Sequence, residues 1–192
     1  MSKKYLLLLF ALWMGCSAPK KVSAPNQAYF PMPLDQVLGH LELSSARSFL
    51  YVPGDSLYFL DALRGLAEPI DLAGTEAQWL EFLNNSELSA LSPQQVILSK
   101  GGLRTQKSYS RILVDRSKEA LSAQEQVDLL ELFGRNLESE GLLVLLSPKH
   151  NPKAGGPATQ KANTLLTEAG SFRKSSLDTT LSPTIQALIL LK

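Results

Sequence analysis

Residues 142–146 read Leu-Leu-Val-Leu-Leu, an apolar run with no polar alternation. A strand with one wet face alternates; a strand of this pattern is covered on both faces, as in a sheet that carries helices on either side. The rest of the chain has to supply those layers, and from residue 34 it does. Short apolar runs alternate with segments of helical period, which reads as an α/β fold with a mostly parallel sheet and three layers. Strands are expected at 48–52, 69–72, 96–98, 111–114, 142–146, 172–177 and 184–191. No helix separates the last two, so they should close the sheet as an antiparallel hairpin.

The helical segments carry their own punctuation. Helices are expected at 34–43, with Val37, Leu38 and Leu41 inward, and at 56–64, closed by Gly65. Thr75 and Gln78 stand at capping-box spacing for a helix over 75–84, as do Ser122 and Glu125 for a helix whose apolar positions include Val127, Leu130, Phe133 and Leu137. Gly141 is expected as the left-handed cap of that helix. Gly170 should stop a last helix over 159–169, and Gly101-Gly102 should make a turn. Trp79, between Leu80 and Phe82, reads as a core residue.

The first fifteen residues read as an address. Lys3 and Lys4 precede an apolar run from Tyr5 to Met14, too short for a spanning helix and of signal-peptide proportions. The chain's one cysteine, Cys16, follows Gly15 at the end of that run. Gly15-Cys16 resembles the lipobox of bacterial lipoproteins, although Trp13 and Met14 depart from the residues that pattern prefers. The resemblance implies cleavage before Cys16, acylation of its thiol, and a lipid bilayer as partner; two or more acyl chains hold a membrane where one does so only marginally. Ser17 then implies the outer membrane, with the chain in the bacterial envelope facing the periplasm. Residues 16–33, with Pro19, Pro25, Pro31 and Pro33, read as a lipidated cysteine and flexible tether, and 34–192 as the domain.

Composition excludes several functions. Nineteen Lys and Arg against eighteen Asp and Glu leave no bulk basic character for nucleic acid. One cysteine and two histidines leave no Cys-rich or multi-histidine metal site.

The order of elements resembles the class I S-adenosylmethionine-dependent methyltransferase fold, whose parallel sheet ends in a reversed last strand. Tyr109-Ser110-Arg111-Ile112-Leu113-Val114-Asp115 is similar to that family's fourth strand, and the run Leu165-Leu166-Thr167-Glu168-Ala169-Gly170-Ser171-Phe172 to the ending of a later helix. The helix usual between the third and fourth strands is missing, since 99–108 is short and glycine-bearing. The resemblance implies a cofactor loop after the first strand, an acid at the end of the second that holds the ribose hydroxyls, and substrate or catalytic residues after the fourth. Carried onto this chain, the cofactor positions are Gly54, Asp55, Asp71 and Asp115.

Those positions fit the chemistry badly. In the family, glycines let the backbone approach the cofactor and free N–H groups meet its carboxylate. Here Pro53, Asp55 and Leu57 fall on the three glycine positions: one lacks an N–H, one brings negative charge and one adds bulk. Asp71 comes about two residues early for a ribose acid, with Ala73 at the aligned position. Asp115-Arg116-Ser117-Lys118-Glu119 departs from the Asp/Asn-Pro-Pro-aromatic type and from the Pro-Cys type of the family, and Ser117 has no histidine or elbow to make it a nucleophile. His40 reads as a surface or packing residue, His150 as part of a solvated loop, and Arg104, Lys107 and Arg111 as a solvated basic face. The expectation is a tethered envelope lipoprotein with a non-catalytic methyltransferase-like domain that binds or scaffolds, without cofactor, and with an envelope protein as partner. Two alternatives stand beside it: an active S-adenosylmethionine-dependent methyltransferase, and an envelope protein that binds a small molecule in the same crevice. Tyr51, Leu57 and Tyr58 filling the crevice would count against the latter.

Overall fold

The computed structural model describes residues 30–54, 59–63, 66, 70–84, 94–149 and 158–192. Its elements are α1 (Leu34–His40), β1 (Phe49–Val52), α2 (Leu60–Leu63), β2 (Ile70–Gly74), α3 (Glu76–Leu83), β3 (Gln95–Ser99), β4 (Gly102–Leu103), β5 (Tyr109–Asp115), α4 (Ala123–Gly134), β6 (Leu137–Pro148), α5 (Ala158–Ala169), β7 (Lys174–Asp178) and β8 (Ile185–Leu191). The strands form one eight-stranded sheet in the order β4-β3-β2-β1-β5-β6-β8-β7. β3, β2, β1, β5 and β6 run parallel, while β8 runs antiparallel to both β6 and β7. This is the expected three-layer α/β architecture with its closing hairpin.

The period of two in each strand sorts side chains onto two cores. Phe49, Tyr51, Leu72, Leu113, Val144 and Leu146 pack toward α1, α2 and the Trp79 and Phe82 rings of α3. Leu50, Val52, Ile112, Val114, Leu143 and Leu145 pack toward Val127, Leu130 and Phe133 of α4 and Ala162 and Leu166 of α5. The unalternating run in β6 therefore feeds both cores. Trp79 is buried as expected, edge-on to Phe82 at 5.5 Å, with Nε1 donating to the Val96 carbonyl at 3.4 Å. Both capping boxes form, at Thr75–Gln78 and at Ser122–Glu125.

Several expectations need correction. Leu137, expected on the helix from Ser122, begins β6, because α4 ends at Gly134 and the chain reverses through Asn136, whose N–H donates to the Phe133 carbonyl at 3.0 Å. Gly141 is not a left-handed cap. It lies inside β6 at an irregular register, and the left-handed residue is Glu140, at φ 66°. Glycine is still required at 141, since a Cβ there would stand 2.8 Å from the Glu138 carbonyl oxygen. The Gly101-Gly102 turn forms, both residues at positive φ, and returns the chain as an unforeseen short strand, β4. β2 continues two residues past the expected end, to Gly74. Gly170, at φ 67°, ends α5 as expected. Phe30, expected within the tether, is buried edge-on to Phe59 at 5.8 Å, so the packed region begins there at the latest. The helix expected over 56–64 is seen at Leu60–Leu63; its positions 56–58 and 64, with Gly65, Cys16 and residues 17–29 of the tether, lie outside the described residues.

Candidate functional site

An open parallel sheet places its ligand crevice outside the carboxyl ends of the strands, where the strand order reverses. Here that point lies between β1 and β5. β1 runs into Pro53 and Gly54, β5 ends at Asp115, and Val52 of β1 lies opposite Val114 of β5.

Arg116 lies across this point. Its Nη1 donates to the Pro53 carbonyl and to the Asp115 carbonyl, each at 2.9 Å, and its Nε stands 3.4 Å from Glu119 Oε2. Its backbone N–H donates to the Leu146 carbonyl of β6 at 3.0 Å. The side chain is only 13% exposed. One residue thus ties together the carboxyl ends of β1, β5 and β6. Gly54 packs beneath: a Cβ on it would stand 2.8 Å from the Asp115 carbonyl oxygen, a main-chain atom with little room to retreat. At this position glycine lets two loops close on each other.

Asp115 is buried, and its carboxylate accepts the Ser117 N–H at 3.0 Å. Burial raises its pKa above the ordinary aspartate value, against the pull of the Ser117 hydroxyl and N–H and of the Arg116 and Lys118 charges. Tyr51 is fully buried on the α1 side, edge-on to Phe59 at 6.3 Å. Burial, and secondarily the charge of Asp115, push its phenol well up, with the Phe59 backbone and Arg116 acting the other way. Of the residues expected to fill the crevice, Tyr51 belongs to the core below it; Leu57 and Tyr58, like Asp55, lie outside the described residues.

At the end of β2 the chain has Gly74 and Thr75, neither of which carries a carboxylate. Thr75 is committed to capping α3, its hydroxyl and N–H both engaged with Gln78. Asp71 lies opposite Leu50, three residues before the strand ends, roughly 10 Å from that edge at about 3.3 Å per residue. Its carboxylate is buried and accepts from the Tyr109 hydroxyl at 2.9 Å and Lys107 Nζ at 3.0 Å. Burial first, and then the bond to Asp71, raise the Tyr109 pKa. Asp71 therefore joins β2 to the start of β5, away from the crevice.

The basic residues are also used internally. Lys107 pairs with Asp71, and Arg111 donates to the Glu42 carbonyl at 2.9 Å and the Ser110 carbonyl at 2.8 Å. His40 Nε2 and Asp178 Oδ2 stand 2.7 Å apart, joining α1 to β7. Among the described residues there is no group of three or more metal-ligating side chains, and no helix is long and apolar enough to cross a membrane. His150 lies outside them.

The sequence pattern does not single out Arg116. Its one visible signal was position: a cation directly after the last residue of a central strand. Nothing in the sequence indicated that the Pro53 carbonyl would be its acceptor.

The sequence matches no protein-family model and no curated protein. In shape the chain is similar to the S-adenosylmethionine-dependent methyltransferase SibL in its apo form (TM-score 0.61, 13% identity, 81% of this chain and 53% of that one). It is similar also to a methyltransferase from Pyrococcus furiosus (0.57, 15%, 100% and 99%) and to a precorrin-6y C5,15-methyltransferase from Geobacter metallireducens GS-15 (0.53, 18%, 83% and 87%). The chain spans about half the length of SibL and nearly all of the Pyrococcus protein. At these identities the likeness is one of architecture, and by strand order, direction and closing hairpin the chain carries the fold of the class I methyltransferases.

Proposed function

We propose that this chain is a lipid-anchored protein of the bacterial envelope whose methyltransferase-fold domain binds or scaffolds a partner and does not transfer methyl groups. The observation that carries the non-catalytic reading is Arg116, bonded to the Pro53 and Asp115 carbonyls where the fold's crevice would open. S-adenosylmethionine fits the described residues poorly. Its carboxylate would meet Pro53, which has no N–H, and its ribose would meet Gly74 and Thr75 instead of an acid. The anchor rests on the sequence: the short apolar run, Gly15 and Cys16. The partner through Cys16 is the bilayer, and an envelope protein is the partner for the domain.

An active S-adenosylmethionine-dependent methyltransferase is the second reading. Asp115 favours it, being a buried carboxyl of raised pKa at the end of the strand where the family keeps substrate residues. Among the similar structures, PigF was solved with S-adenosylhomocysteine. A small molecule in the same crevice is a third reading.

Titration calorimetry of S-adenosylmethionine and S-adenosylhomocysteine into the folded protein separates the first reading from the second. No heat at millimolar cofactor is the expected result. Binding near the micromolar range, about −8 kcal/mol, returns the methyltransferase to first place.

A further inference from the structure

The sheet ends in two edges, one of them the two-residue β4 and the other β7. β7 pairs with β8 in an unbroken register from Lys174–Leu191 to Asp178–Ala187, and among the described residues no strand pairs with its second side, which presents a row of main-chain donors and acceptors. The strand has no proline, no bulge and no charge in its interior.

Its sequence, Lys-Ser-Ser-Leu-Asp, is complementary to itself when read backwards. An antiparallel pair centred on Ser176 places Lys174 opposite the partner's Asp178, Ser175 opposite the partner's Leu177, and Ser176 opposite its own copy. Directly opposed residues share a face and touch. Both ends of the pair then join opposite charges, whereas parallel self-pairing in register would stack like charges at both ends. The cation is exposed and the carboxylate is fixed in position. Lys174 is exposed and has no ion-pair partner among the described residues, and the Asp178 carboxylate is held in place by His40 on Oδ2 and Thr180 on Oδ1. The strand is braced from the α5 side by the Thr167 and Ser175 hydroxyls at 3.1 Å.

We propose that β7 is a self-association edge: two copies pair antiparallel through Lys174–Asp178 about a two-fold axis at Ser176, joining two sheets into one. The contact is isologous and closes on itself, so it yields a dimer and not a fibre. It is independent of the reading of the crevice.

The test uses the full chain in neutral detergent, followed by sedimentation over a range of concentrations. The wild type is expected to dimerise, and Lys174→Glu, which sets like charges across the axis, to weaken the dimer at least tenfold while its circular dichroism stays unchanged. Ser176→Cys should form on oxidation an intermolecular disulfide between the two copies of position 176, identified by peptide mass so that a link through Cys16 is told apart. A wild type that stays monomeric overturns the proposal, including the case in which β7 instead pairs with an extended segment of another protein. A dimer unmoved by Lys174→Glu, or one in which Ser176→Cys stays unlinked, overturns it as well.

Discussion

The two ends of the parallel strands are closed by different means. At the amino ends, side chains satisfy one another: Lys107 and Tyr109 meet Asp71, Arg47 and Ser48 meet Glu138, and the Ser110 hydroxyl donates to the Ser48 carbonyl while accepting the Arg47 and Ser48 N–H groups. At the carboxyl ends, the Arg116 cation is engaged by main-chain carbonyls and by Glu119, and the neighbouring carboxyl, Asp115, is buried with a raised pKa. The amino end is electrostatically balanced and carries no sign of a ligand. The carboxyl end keeps a destabilised acid under a bonded guanidinium. Among the described residues, the carboxyl end holds a buried acid of raised pKa, the kind of group that active sites are built from.

The difference can be broken most strongly at Gly54. Gly54→Val drives a branched side chain against the Asp115 carbonyl and should cost about 3 kcal/mol, as overpacking against main chain does. A urea midpoint shifted by much less would show that the two loops separate easily and that the crevice is openable. Next is Asp71→Ala at the amino end, expected to cost roughly 2–3 kcal/mol because it leaves the buried Tyr109 hydroxyl without its acceptor. Protein levels would fall with it, which makes this variant a probe of stability and not of cofactor binding. A chemical denaturation curve matching the wild type would remove Asp71 from the structural network. Arg116→Ala comes third, at about 2 kcal/mol for charge-assisted bonds at a mostly buried site. If it leaves stability unchanged, the guanidinium is an idle occupant and the two ends differ less than the geometry indicates.

Most of the architecture was legible because it rests on local, periodic signals. The β6 run, the two capping boxes and Gly170 each announce themselves within a few residues, and the order of elements follows from them. The errors fall where tertiary contact overrides a local rule. Gly141 looked like a cap because glycine favours the left-handed region, yet the structure needs its missing Cβ, and Glu140 takes the positive φ. Phe30 sat among prolines that suggest a free tether, and only the distant Phe59 ring makes it core. The site was half legible. The misfit of Pro53 and the early position of Asp71 could be read from alignment with a strand. Arg116, Tyr109 and Lys107 could not, because their partners lie 63, 38 and 36 positions away and no spacing encodes them.

The smallest expected effect probes the imbalance at the carboxyl end directly. The folded pKa of Asp115 lies above the ordinary value of 3.8, so between those two pH values the folded protein holds a proton that the unfolded chain has released. Its contribution to stability therefore falls as pH rises through that window and is flat above it. Asp178, whose burial is outweighed by the Thr180 donors and His40, has a lowered pKa and the opposite slope: its stabilisation is lost as pH falls through its folded value. The difference between wild type and Asp115→Asn cancels Asp178 and isolates Asp115. Asparagine still offers an oxygen to the Ser117 N–H but carries no charge to desolvate. The variant should be slightly more stable than the wild type at neutral pH, the gap narrowing as the pH is lowered toward 3.8, measured as urea midpoints across that range. A variant less stable than the wild type at neutral pH would mean that Arg116 and Lys118 more than offset the burial of Asp115. The carboxyl end would then be as balanced as the amino end.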